Sequence, residues 1–304
     1  MSNASLTDQF SGLNSGKPVL ITGPTACGKS DLAMLIAKRF GGVVINADAI
    51  QVYGAFRKLT ARPSELEEQS VPHHLYGHVG YDQTYSVGEW LRALAPLLAA
   101  NRRPIITGGT GLYFQALTTG LAQIPPIDSA IISRSKQLLD EQGHQVMAEQ
   151  LDAETFEKID LRNPMRVQRA WQVLHGTGQG LAAWQNVKPS PLLALNETVP
   201  ILFDVDRDWL CRRIEHRFEK MLYTGALEEV RAILPYWHPD LPCAKAIGAP
   251  QLVAYLRNEI SLATAKRQAT IATQQFAKRQ RTWFRSKMAK WIIYHRNHND
   301  KDTF

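Results

Sequence analysis

Residues 19–40, VLITGPTACGKSDLAMLIAKRF, narrow the possible folds more than any other stretch of the chain. A β-prone apolar run ends at Thr22. Gly23, Pro24, Thr25, Ala26, Cys27, Gly28, Lys29 and Ser30 then match G-x-x-x-x-G-K-[ST], and apolar periodicity predicts a helix from Lys29 to Phe40. A glycine loop that leaves a strand and opens a helix gathers backbone N–H groups and the positive helix end into a concave anion site. Lys29 adds a point charge, and the Ser30 hydroxyl is the candidate ligand for Mg²⁺. Phosphate binding is the expectation; which molecule carries the phosphate stays open.

The pattern then repeats. GGVVINAD reads as a buried strand whose carboxyl end is Asp48, and RPIITGGTG as another, emerging from a helix around 87–100 and ending at Gly108, Gly109 and Thr110. Alternating strands and helices predict an α/β fold of the P-loop NTPase-like kind, an open parallel sheet flanked by helices. Ligands of such sheets bind beyond the carboxyl ends of the strands, so the glycine loop, Asp48 and Thr110 are expected in one crevice. After AQIPPID the texture is helical until VPILFDVDRD resumes the sheet. The expected division is a catalytic core of 17–127 plus 197–304, with a basic C-terminal segment, and an all-helical subdomain inserted at 128–196.

Composition limits the remaining classes. With 304 residues, 44% hydrophobic and 21% charged, the chain has the make-up of a soluble globular protein. No apolar run approaches the ~18 residues that would suggest a membrane span. Residues 1–17 are polar, lack the apolar core of a secretion signal and are expected to form a frayed arm. Cys27, Cys211 and Cys243 have no metal-ligand spacing, which points to a reducing cytoplasm. The formal charge of +7 is uneven: from Lys266 to Arg296 there are nine Lys or Arg and no Asp or Glu. Phe276, Trp283, Phe284, Trp291 and Tyr294 are interleaved with them, a mixture suited to phosphates and unstacked bases and equally compatible with a solvated helix face.

Three groups of side chains are candidates for chemistry. Asp48 is the well-placed carboxylate at a strand end, available as a metal partner, as a general base, or as a helix cap. On the helix predicted from Asp208 to about Tyr223, Leu210, Ile214 and Phe218 form the buried stripe and Arg213 and Arg217 stand together one position behind it. Two cations four residues apart cost a helix ~0.2–0.5 kcal/mol unless an anion relieves them, which suggests a phosphate clamp facing the glycine loop. His73, His74 and His78 lack a standard metal-ligand pattern and are assigned to a turn beside a substrate channel.

Taken together, GPTACGKS, NADAIQVY, LTARPSE with VPHHL, GGTGLYFQAL, RVQRAWQVLHGTG, RIEHRFEKMLYTGALEEV and QFAKRQRTWFR resemble the bacterial tRNA dimethylallyltransferases, the tRNA isopentenyltransferase or IPP transferase family. The match runs roughly from Pro18 to Arg285. The resemblance implies transfer of a dimethylallyl group from dimethylallyl diphosphate to the exocyclic amine (N6) of adenosine 37 in tRNA, with release of diphosphate. It implies that the glycine loop, with Arg213, holds that diphosphate, with Mg²⁺ as cofactor. Asp48 would be the general base, Arg217 would steady the leaving group, and Thr110 would hydrogen-bond near the target amine. Asp48, Ala49, Ile50, Gln51, Thr110, Met165, Arg166, Val167, Gln168, Arg169, Lys278 and Arg279 match tRNA-contacting segments, and the helical subdomain would grip the anticodon stem-loop. The protein is expected to act as a cytoplasmic monomer without a membrane.

Departures from the family pattern are Ala49 where serine is usual, Cys27 for a loop serine, Arg62 for lysine, Gln274 for arginine, and AIGAPQ at 246–251. The rival readings are an adenylate isopentenyltransferase, a small-molecule P-loop kinase, in which ATP would occupy the loop, and an RNA-binding module with a vestigial loop.

Overall fold

The computed structural model describes residues 9, 10, 12–187 and 190–296. The described residues within 1–118 and 192–304 form one compact unit and those within 119–191 a second. The second unit thus begins nine residues before the expected 128 and ends five before 196, although its first full helix starts at Ser129. Within the first unit, six strands make an all-parallel sheet: β1 (Val19–Thr22), β2 (Val43–Asn46), β3 (His73–His74), β4 (Pro104–Gly108), β5 (Val199–Asp204) and β6 (Ile292–His295), in the order β3-β2-β4-β1-β5-β6. The four central strands are buried along almost their whole length, as parallel strands covered on both faces must be.

The first helices of this unit are α1 (Lys29–Phe40), α2 (Glu65–Ser70), α3 (Val87–Ala99) and α4 (Gly111–Thr119). Local chemistry sets several ends. Ser64 with Glu67, and Ser86 with Glu89, form capping boxes that start α2 and α3. α1 begins after Gly28, whose φ of 99° is left-handed. Gly108, the last residue of β4, has to be glycine because a Cβ there would overlap the backbone of Ala47, just beyond β2.

The second unit contains α5 (Ser129–Ala148), interrupted at Gly143, then α6 (Ala153–Lys158), α7 (Pro164–Thr177) and α8 (Leu181–Asn186). Met147, Ala148, Val167 and Trp171 form one of its apolar clusters, and Trp171 Nε1 donates to Gln150 Oε1 at 2.8 Å. The chain re-enters the first unit through β5 and continues in α9 (Arg207–Tyr223), α10 (Ala226–Ile233), α11 (Ala249–Leu256) and α12 (Leu262–Lys287), a 26-residue helix. Leu210, Ile214 and Phe218 are the buried stripe of α9, as their spacing predicts.

Three expectations are corrected. The N-terminal arm is not frayed as far as Lys17: Phe10 and Leu13 are buried in the main core, and Arg103 donates to the carbonyls of Leu13 (2.8 Å) and Lys17 (2.7 Å). Burying one such phenylalanine contributes about 1.5–3 kcal/mol, enough to dock a short polar arm. His73 and His74 form an edge strand on β2 instead of a turn. Finally, the basic tail carries a sixth strand: Phe284, Trp291 and Tyr294 are buried core, with Tyr294 packed edge-on against Phe10 and Phe203. Among the described residues no helix is long and apolar enough to cross a membrane, and no cluster of three His, Cys, Asp or Glu could hold a metal ion.

Candidate active site

Parallel pairing brings the carboxyl ends of β1, β2, β4 and β5 to one edge of the sheet, and the loops leaving those ends build the site. The phosphate loop runs from Gly23 to Gly28. Ala26 takes a left-handed φ of 65°, an uncommon conformation for a residue with a Cβ and one that clusters at ligand clamps. Lys29 Nζ donates to Pro24 O at 2.8 Å and lies 3.8 Å from Cys27 Sγ, so its ammonium is folded over the loop. Burial pushes the Cys27 thiol up, against the pull of Lys29, and keeps it protonated. Ser30 is exposed in the first turn of α1.

The two arginines of α9 do bear on this loop. Arg213 Nε donates to Ala26 O at 3.1 Å and Arg217 Nη1 to Thr25 Oγ1 at 3.3 Å. Burial pushes the Arg217 guanidinium down from its usual range, and Asp48 is the largest influence holding it up. It remains a cation, because a guanidinium does not lose its proton in proteins. The same pairing puts Asp48 within electrostatic reach of the clamp.

Asp48 lies two residues beyond β2. Asn46 holds it from both sides: Asp48 N donates to Asn46 Oδ1 at 2.8 Å, and Asn46 Nδ2 donates to Asp48 O at 2.9 Å. Its Oδ1 accepts from Ile50 N at 3.0 Å, closing a turn instead of capping a helix. Its Oδ2 lies on the Gly109 side. Thr110 Oγ1 accepts from Ala49 N at 2.9 Å and so keeps its proton to donate elsewhere. Gln51 Nε2 donates to the carbonyls of Thr60 and Ala61.

One residue missed by sequence reasoning links these halves. Gln280, buried on α12, accepts from Thr25 N at 2.8 Å and donates to Gly109 O at 2.9 Å, tying the phosphate loop to the turn before Thr110. Only its place in the QFAKRQRTWFR segment hinted at it. Tyr76 and Tyr113 are two more: burial raises both phenols, followed by the charge of Asp48 at Tyr76, and by Tyr85 and then Asp48 at Tyr113. Trp90, stacked on Tyr113 at 4.5 Å, donates to Asn46 O at 2.7 Å and braces the strand end that carries Asp48.

The remaining predicted residues lie elsewhere. Lys278 and Arg279 are exposed on α12, with Arg279 over the Phe276 ring at 5.8 Å. Met165, Arg166 and Arg169 are exposed on α7 in the helical unit. Val167 is fully buried there and Gln168 Nε2 donates to Ser135 Oγ, so neither of these two side chains faces solvent for RNA contact.

A parallel sheet with this loop at its centre, a carboxylate beyond the end of β2 with β4 between the two, no acid at the end of β4 and two arginines on the loop defines an arginine-clamped protein of the P-loop class. The family model described as IPP transferase matches residues 51–287, and that described as isopentenyl transferase matches 17–75. The chain is 54% identical over 286 residues to a tRNA dimethylallyltransferase of Cereibacter sphaeroides, covering 94% of this chain and 91% of that one. It is 52% identical over 284 residues to that of Dinoroseobacter shibae, covering 93% and 96%. Among solved structures it resembles the full-length tRNA isopentenylpyrophosphate transferase of Bacillus halodurans, with a TM-score of 0.64, 29% identity, and 92% and 90% of the two chains covered. A eukaryotic dimethylallyltransferase acting on tRNA shares the fold, with a TM-score of 0.75 over 92% of this chain and 73% of that one, at 24% identity. The chain belongs to the IPP transferase family.

Proposed function

We propose that this chain transfers a dimethylallyl group from dimethylallyl diphosphate to N6 of adenosine 37 in the anticodon stem-loop of tRNA. The observation that carries this reading is the convergence of a phosphate loop, two loop-bound arginines and a free-edged carboxylate at one sheet edge. The loop's N–H groups and Lys29 receive the diphosphate. Ser30, exposed at the start of α1, fits a Mg²⁺ that takes most of its ligands from phosphate and water, which is this ion's habit and requires no cluster of protein carboxylates. Such an ion would neutralise charge on the diphosphate.

The chemistry of the protein's own groups follows. Asp48 takes a proton from the adenine amine through its Oδ2 side, while Thr110 donates a hydrogen bond near the same nitrogen. The amine nitrogen bonds to the first carbon of the prenyl group as the bond to the diphosphate oxygen breaks. Arg217 and Arg213 stabilise the charge that gathers on the departing diphosphate. The target base must leave its stack to be reached, which fits a loop nucleotide better than a paired one. Exposed Lys278 and Arg279 supply cations for the RNA backbone, and Met165, Arg166 and Arg169 supply contacts from the helical unit. We take the catalyst to be a cytoplasmic monomer.

The assay that tests this uses purified protein, Mg²⁺ and labelled dimethylallyl diphosphate, offered unmodified bulk tRNA or free AMP. Label in tRNA and none in AMP is expected. Label in AMP alone would favour an adenylate isopentenyltransferase, and ATP turnover without prenyl transfer a kinase.

A further inference from the structure

Arg296 belongs to the basic tail by sequence, yet it is nine-tenths buried against the phosphate loop. Strand β6 runs parallel to β5, with His295 opposite Asp204, so the residue after it arrives at the same sheet edge as the loop leaving β1. There Arg296 Nη1 donates to Cys27 O at 3.3 Å. Its guanidinium fills the space that a Cβ on Gly28 would need. Its Cζ lies over the Trp209 ring at 5.4 Å, and Arg213 lies over the same ring at 4.9 Å while donating to Ala26 O. Two successive loop carbonyls, those of Ala26 and Cys27, are therefore held by guanidinium groups that share one indole.

This arrangement has a direct geometric consequence. In a trans peptide the carbonyl and the following N–H point in opposite directions. Drawing the Cys27 carbonyl toward Arg296 turns the Gly28 N–H the other way, and the cradle of such a loop is made of N–H groups. We propose that Arg296 is a positioning residue of the diphosphate cradle, orienting the Cys27–Gly28 peptide and, through Trp209, steadying Arg213. The inference rests on reading the glycine loop as the diphosphate site. Its charge also acts on the loop: it pulls the Cys27 thiol and the Asp31 carboxyl down, against burial, which raises both.

The test uses the full-length protein, calorimetry with inorganic diphosphate and Mg²⁺, and steady-state prenyl transfer to unmodified tRNA. Arg296→Met is expected to raise the Kd for diphosphate and the KM for dimethylallyl diphosphate about tenfold, as loss of a hydrogen bond from a charged donor predicts. KM for tRNA is expected to stay within about twofold, while kcat falls less than the donor KM rises, because Arg213 is held less firmly but not removed. Arg296→Lys keeps the charge and a donor but offers no planar face to Trp209, and is expected to recover part of the loss. Trp209→Leu is expected to raise the donor KM in the same selective way. A folded Arg296→Met or Trp209→Leu protein with native diphosphate affinity overturns the proposal, as does an equal loss for donor and tRNA. Lys29→Met separates this from the premise: if that variant binds diphosphate as the native protein does, the loop reading itself fails, whatever Arg296 does.

Discussion

The phosphate loop and the basic segment that closes the chain meet at one sheet edge, but they carry their charge differently. The loop concentrates its attraction for anions in backbone N–H groups and a single lysine, a pattern tied to spacing along the chain. The segment from Lys266 to Arg296 spreads nine cations along a helix, the turn after it and the end of β6, and the fold sorts them. Lys278, Arg279, Arg285, Lys287 and Lys290 face solvent, whereas Arg296 turns inward onto Cys27. Its aromatics are sorted in the same way, with Trp283 partly exposed and Phe284, Trp291 and Tyr294 in the core. A charge count therefore describes the segment's exposed charge only after the inward residues are removed from it.

This contrast sets the order of expected effects. Asp48→Asn should lower turnover by ~10²–10⁴-fold while tRNA affinity stays nearly unchanged, since the amide keeps the shape and loses the base. Near-native single-turnover rates would remove Asp48 from that role. Arg217→Met should lower kcat by roughly 10²-fold, the scale of losing one preorganised stabiliser of developing negative charge. A change confined to tRNA KM would assign Arg217 to the RNA side of the contrast instead. On that RNA side, Lys278→Ala and Arg279→Ala should each flatten the salt dependence of tRNA binding by about one unit and leave diphosphate affinity alone. An unaltered salt slope, measured by filter binding at several ionic strengths, would place α12 away from the RNA.

The smallest effect concerns Asp31. Burial raises its carboxyl, against the opposing pull of Arg213 and Arg296. A raised folded-state pKa contributes stability that is complete below the unfolded value and lost as pH rises through the folded one. Asp31→Asn should thus be more resistant to denaturant than the native protein near pH 7, and the difference should shrink as acid protonates the native carboxyl. Urea midpoints across pH 3.5–7 would check the sign.

Much of the site could be read along the chain because its parts are local. The Gly23–Ser30 loop has fixed spacing, α1 begins and ends where periodicity places it, and Arg213 and Arg217 share a face because four residues make about one helical turn. Gln280 escaped because its two hydrogen bonds span 255 and 171 residues of sequence, and nothing in its neighbourhood requires a buried amide. Val167 and Gln168 were assigned to RNA by position within a motif, although the packing of α7 turns them inward.

Local order along the backbone was sufficient for the class of fold and for the shape of the candidate anion cradle, since strand, glycine turn and helix N-terminus are consecutive in the chain. Which cations serve that cradle was decided by the parallel sheet. Only the pairing of β6 beside β5 delivers Arg296 to Cys27, and only α12 crossing the same edge delivers Gln280 to Thr25. Contacts between distant segments depend on how apolar faces pack in three dimensions, and that arrangement leaves no fixed spacing in the sequence to be read.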